Sequence, residues 1–194
     1  PGKLRRTDLG TIAALRIAAS ASVLFTGFRA VSDDDYARVV IAQVWAHAPR
    51  LDPSGTSWLP FPFWLNGAAM LAFGRSLFVA QAVAFVLGIA ATLLVAPGAL
   101  RVTGDRRAAF VAAAFAALVG WSAWLGVATV PECLTAALTF FAASSLTTRS
   151  PRARALGALA LVAATLSRYE PWPVAIAFAV WNLIDRVGGP LRGA

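Results

Sequence analysis

The chemistry of this chain is most concentrated at Asp33-Asp34-Asp35, where three of its nine carboxylates stand side by side. Tyr36, Ala37 and Arg38 follow directly. A carboxylate within hydrogen-bond reach of a hydroxyl can serve as a general base. Three adjacent negative charges also repel one another unless a cation or hydrogen-bond donors lie nearby. Helix capping accounts for part of the cluster, with Ser32 as the N-cap and acids in the first turn. Arg38, on the same helix, could pair with the acids or hold a phosphate. Four further residues join the candidates. Glu132 follows Pro131 at a helix start, and Arg168 and Glu170 share the stretch Leu166-Ser167-Arg168-Tyr169-Glu170-Pro171-Trp172. A guanidinium is well suited to gripping phosphate. His47 either ends the surface helix that carries Arg38 or acts as a ligand or base.

The elements that must position these residues are read from composition. The 194 residues are 59% hydrophobic and 13% charged, against about 25% charged in soluble domains. Composition therefore predicts an all-α, polytopic transmembrane helical bundle. The net charge of +8 comes from basic residues scattered between apolar runs, which argues against a nucleic-acid partner. The single cysteine, Cys133, has no partner for an internal disulfide and no metal-ligand spacing, and reads as packing.

Apolar runs predict about six spans, at residues 11–31, 77–100, 108–127, 130–146, 155–166 running on towards Trp172, and 174–184. The first reads as a retained signal anchor, with Arg16 near its cytoplasmic end snorkelling to water. Residues 35–48 have helix-forming composition and stop before Pro49, ahead of a turn-rich loop. Residues 58–73 are apolar and aromatic but interrupted by Pro60 and Pro62, and are expected to lie along the interface. With the amino terminus inside and 58–73 not spanning, the 17 basic residues divide twelve inside to five outside. A spanning 58–73 would reverse that bias, so the positive-inside rule selects the first arrangement. It places Asp33, Asp34, Asp35, Asp52, Glu132 and Glu170, with Arg168, on the outer face.

Four stretches together carry a resemblance. They are Asp33-Asp34-Asp35-Tyr36-Ala37-Arg38, Trp58-Leu59-Pro60-Phe61-Pro62-Phe63-Trp64, Phe73-Gly74-Arg75-Ser76 and Ser167-Arg168-Tyr169-Glu170. In order and spacing the chain resembles the GT-C glycosyltransferases, and within them glycosyltransferase family 39, which includes protein O-mannosyltransferases and the aminoarabinose transferases of lipid A. The resemblance covers nearly the whole chain. It implies transfer of a sugar from a polyprenyl-phosphate donor to a lipid, glycan or protein acceptor on the outer face. An aspartate of the first outer loop, Asp33 or Asp34, would be the general base, and Arg168 a phosphate ligand. Some relatives use a divalent metal, for which Asp33 and Asp34 would be the ligands here. The family commonly has Asp-Glu four residues before the tyrosine, whereas here Asp-Asp-Asp abuts Tyr36, so which aspartate is equivalent stays open.

The whole chain, residues 1–194, is expected to be one transmembrane module with its catalytic loop at 32–76. Relatives have more spans and often a soluble carboxy-terminal domain, so an amino-terminal piece of a longer enzyme is expected. An Ala- and Arg-rich composition with almost no lysine suits a GC-rich bacterial genome and an inner-membrane location. Two rival readings remain: a transporter-like module that binds a cation on its outer acids, and a non-catalytic membrane scaffold. A transporter predicts ionisable groups near the middle of several spans, and Arg16 alone approaches that.

Overall fold

A computed structural model describes residues 2–188. Among them the chain forms nine helices and no strands: α1 (Arg6–Phe25), α2 (Asp33–His47), α3 (Phe61–Phe73), α4 (Leu77–Thr103), α5 (Arg106–Leu118), α6 (Gly120–Leu125), α7 (Glu132–Ser145), α8 (Pro151–Thr165) and α9 (Trp172–Gly188). The fold is all-α. Two helices, α1 and α4, are long and apolar enough to cross a membrane. Helices α5, α7 and α8 have 13, 14 and 15 residues, a reach of roughly 20–22 Å at 1.5 Å per residue.

Small side chains let the helices approach closely. Ala109, Ala113 and Ala117 form a fully buried stripe on α5, and Ala96 and Ile12 pack beside it from α4 and α1. A second cluster joins Phe141 and Ala142 of α7 to Ala160 and Leu161 of α8 and Phe178 of α9. In a third, Val39, Ala42 and Ala46 of α2 meet Met70 of α3 and Val79 and Ala80 of α4. Glycine is required where backbone or ring comes too near for a side chain. A Cβ on Gly67 would stand 2.2 Å from the Trp45 ring, and one on Gly88 would stand 2.3 Å from the carbonyl oxygen of Gly126.

Several segments depart from the sequence expectation for local reasons. Helix α2 starts two residues early, because Ser32 in extended backbone is its N-cap and the aspartate triplet is its first turn. The expected run 108–127 is broken at Val119, whose backbone is extended (φ −61°, ψ 127°), into α5 and the short α6. An irregular, buried stretch through Val127, Ala128 and Thr129 then leads into α7. Helix α8 begins at Pro151, a residue suited to the first helical position. The snorkelling expected of Arg16 is overturned: its side chain is fully buried and bonded to the α6 segment. The expected last span, 174–184, falls within α9, which begins at Trp172, and residues 189–194 lie outside the described residues.

The two ends of the bundle differ in charge. At one end Arg106 grips Asp8 with two bonds of 2.6 Å, and Arg154 meets Asp185 at 2.6 Å. There Lys3, Arg5, Arg6, Arg107, Arg149 and Arg152 stay exposed. The other end gathers the first turns of α2 and α7 and the α8–α9 connection. It holds every candidate residue except His47.

Candidate functional site

The site is built on the first turn of α2. Asp35, at the third helical position, is buried at 3% exposure. Its Oδ2 accepts from the backbone of Val31 at 2.9 Å and Ser32 at 3.3 Å. Its Oδ1 accepts from the Thr129 N–H at 2.7 Å and the Thr129 hydroxyl at 2.9 Å. Both oxygens are committed, and none of these partners is a ligand. Asp35 therefore caps its own helix and anchors the α6–α7 segment. Asp33 and Asp34 remain exposed on the same turn.

One turn beyond Asp34, on the same face, Arg38 is buried at 8% exposure. Its guanidinium lies 4.4 Å from the Trp58 ring and 5.9 Å from that of Phe63, and those two rings are themselves stacked. A stacked cation of this kind is held through its face. Its Nε and Nη1 have no hydrogen-bond partner. Burial pulls its pKa down, Glu132 opposes that most strongly, Arg168 adds to the lowering, and Asp34 and Asp35 oppose it. A guanidinium nevertheless keeps its proton, so Arg38 is a desolvated cation with two free donors.

Glu132 opens α7 and reaches across to Arg168, bonding it through Oε1, while its Oε2 is buried and unpartnered. Arg168 is gripped from the other side by Glu170, with contacts of 2.6–3.0 Å from Nε and Nη2. Those bonds to Arg168 lower the Glu170 carboxyl from 4.5 to about 2. The same contacts raise Arg168. The connection that carries this pair is tied down where Tyr169 donates to Ser57 O at 2.6 Å, next to Trp58. Phe61 N–H also bonds Leu166 O at 3.0 Å.

Beside Glu132, Arg168 and Glu170 opens a groove of about 510 Å³ between α7 and α9. Thr135, Phe140 and Val174 continue its walls, so a charged mouth leads into an apolar trough. The Thr135 hydroxyl is buried without a partner.

The structure thus brings Asp33, Asp34, Asp35, Arg38, Glu132, Arg168 and Glu170 to one end of the bundle. His47 is not with them. It ends α2, exposed, beside Gln43 and Arg75. Sequence reasoning missed Thr129 and the stacking of Trp58 on Arg38. Nothing local marks either: Thr129 is 94 positions from Asp35 and Trp58 is 20 from Arg38, so only the fold brings each pair together. Among the described residues no group of three or more His, Cys, Asp and Glu side chains could hold a metal. Asp33 and Asp34 offer two exposed donors while Asp35 faces inward, a poor metal pocket.

No family model, curated protein or solved structure matches the chain.

Proposed function

We propose that this is an integral membrane protein of about six spans that transfers a sugar from a polyprenyl-phosphate donor to an acceptor hydroxyl. The membrane reading draws on α1 and α4 and on large apolar side chains left exposed on the shorter helices. Phe115, Trp121, Leu159, Val162, Ile176 and Leu183 are all more than half exposed. So much exposed apolar surface calls for lipid or a partner. The basic end then faces the cytoplasm of a bacterial inner membrane, and the aspartates face outward.

The observation that carries the reaction is Arg38: a buried guanidinium with two free donors, one turn from an exposed carboxylate and backed by aromatic rings. In this mechanism Asp34, with Asp33 as its alternative, takes the proton of the acceptor hydroxyl. The freed oxygen attacks the anomeric carbon, and the bond from that carbon to the phosphate oxygen breaks. Its electron pair leaves on the phosphate, whose charge the Arg38 guanidinium offsets. Arg168 is a weaker candidate for that task than the sequence implies, because two carboxylates already occupy it.

The scaffold reading draws on one observation: Asp35, Glu132 and Glu170 all spend their charge within the protein. A single assay separates the two. Protein in membranes is given labelled polyprenyl-phosphate sugar, and released polyprenyl phosphate is measured for wild type, Asp33→Asn, Asp34→Asn and Arg38→Lys. Loss in a properly inserted Asp34→Asn or Asp33→Asn identifies the base. Absence of release from wild type across several donors favours the scaffold.

A further inference from the structure

Arg16 lies in the middle of α1 with no exposed surface and no carboxylate partner. Its Nη2 donates to Ser122 O at 2.8 Å and its Nη1 to Ser122 Oγ at 3.2 Å, and Cys133 Sγ lies 3.8 Å from Nη2. One guanidinium therefore spans the irregular stretch from α6 to α7, touching it at both ends. Room for it exists only because residue 126 is glycine. A Cβ there would stand 1.2 Å from Nη2.

That stretch has little hydrogen bonding of its own. Val127 and Ala128 N–H both reach back to Trp124 O, and the next turn bond is Thr135 N–H to Pro131 O. Between them the chain is fastened by side chains from elsewhere: Asp35 holds Thr129, and Arg16 holds Ser122 and Cys133. Glu132 is the residue directly before Cys133. Burying a cation without a counter-charge is costly, so its retention in the core calls for a task that a leucine would not perform.

We propose that Arg16 is a positioning residue: it fixes the 122–133 segment from within the bundle and thereby sets the Glu132 carboxylate that holds Arg168. Its bearing on catalysis rests on the transferase reading, but its two main tests do not.

The first test uses Cys133, the one cysteine of the chain. Alkylation by a membrane-permeant maleimide is timed in wild type, Arg16→Met, Ser122→Ala and Glu132→Gln. Freeing the segment for local opening speeds alkylation roughly tenfold in Arg16→Met. Ser122→Ala, which folds even if Arg16→Met does not, gives a smaller increase, and so does Glu132→Gln, because the coupling between the two ends of the segment is reciprocal. Unchanged rates in both Arg16→Met and Ser122→Ala overturn the proposal.

The second test is a thermal double-mutant cycle between Arg16→Met and Glu132→Gln, two residues that do not touch. A positioning role makes their effects non-additive. Additive effects mean that Arg16 is ordinary packing, and overturn the proposal. Where transfer is measurable, Arg16→Met reproduces the KM-against-kcat pattern of Glu132→Gln, whereas mere loss of folded protein lowers kcat alone. Wild type without transfer overturns the transferase reading and leaves the alkylation and cycle results standing.

Discussion

Asp35 and Thr129 stand 94 positions apart in sequence and share two hydrogen bonds, from the threonine N–H and hydroxyl to one carboxylate oxygen. Through them the start of α2 is joined to the segment that presents Glu132. Of the three adjacent aspartates, Asp35 thus belongs to the framework, and the exposed pair is left for a ligand.

Asp35→Asn is expected to lower stability by about 1–3 kcal/mol, because it sets an amide against backbone donors that need an acceptor. Asp33→Asn and Asp34→Asn, both exposed, stay within about 0.5 kcal/mol of wild type. Thermal midpoints in detergent distinguish them. Equal losses at all three positions would contradict the division of labour.

Arg38→Lys keeps a positive charge but loses the planar stack on Trp58 and the paired donors. Release of polyprenyl phosphate is expected to fall about a hundredfold in Arg38→Ala, with only partial recovery in Arg38→Lys. Arg168→Ala is expected to act chiefly on stability, since it strips the partner from both Glu132 and Glu170. A milder loss of release in Arg38→Ala than in Arg168→Ala would return the phosphate to Arg168.

Glu170 gives a pH signature. Its folded pKa lies below its ordinary value, so the native state favours the ionised form. The stability it contributes is complete above 4.5 and is lost as pH falls towards about 2. Glu170 is largely exposed and Arg168 partly so, so salt screens the pair and the effect is modest. Glu170→Gln should flatten that part of the acid-denaturation profile, and high salt should do the same to wild type. An acid limb unchanged in Glu170→Gln would place the titration elsewhere.

Gly67→Ala tests the α2–α3 pair. The added methyl would meet the Trp45 ring, which is held in place by its Nε1–H bond to Arg50 O at 2.7 Å. A cost of about 1–3 kcal/mol is expected from such overpacking. Shrinking the ring through Trp45→Leu in the same chain should recover part of it, as read by thermal unfolding.

Much of this arrangement was legible because it rests on local signals. Ser32 before a run of acids and Pro49 after His47 bracket α2, and Pro131 announces Glu132 at the head of α7. The partition of charge along the chain put Asp33, Asp34, Asp35, Glu132, Arg168 and Glu170 on one face before any contact was visible. What failed to show was non-local. The break at Val119 interrupts an unbroken apolar run, and hydropathy does not record a change of ψ. Arg16 looked like a snorkelling residue because its sequence position puts it near an end. Its actual partners, Ser122 and Cys133, are more than a hundred residues away. Asp35 could not be separated from its neighbours without Thr129.

At Gly88 and Gly126 the helix α4 and the α6–α7 segment meet backbone to backbone, with no layer of side chains between them. Most contacts in a protein tolerate exchange among residues of similar size, and mutational tolerance grades smoothly across them. Here the grading collapses, since alanine is already too large. A saturation scan for correctly inserted protein should therefore find Gly88 intolerant of every other residue, whereas at Gly126 an added Cβ meets the Arg16 guanidinium, the end of a flexible side chain that can move. That intolerance would follow from geometry alone, whatever the protein transfers or binds.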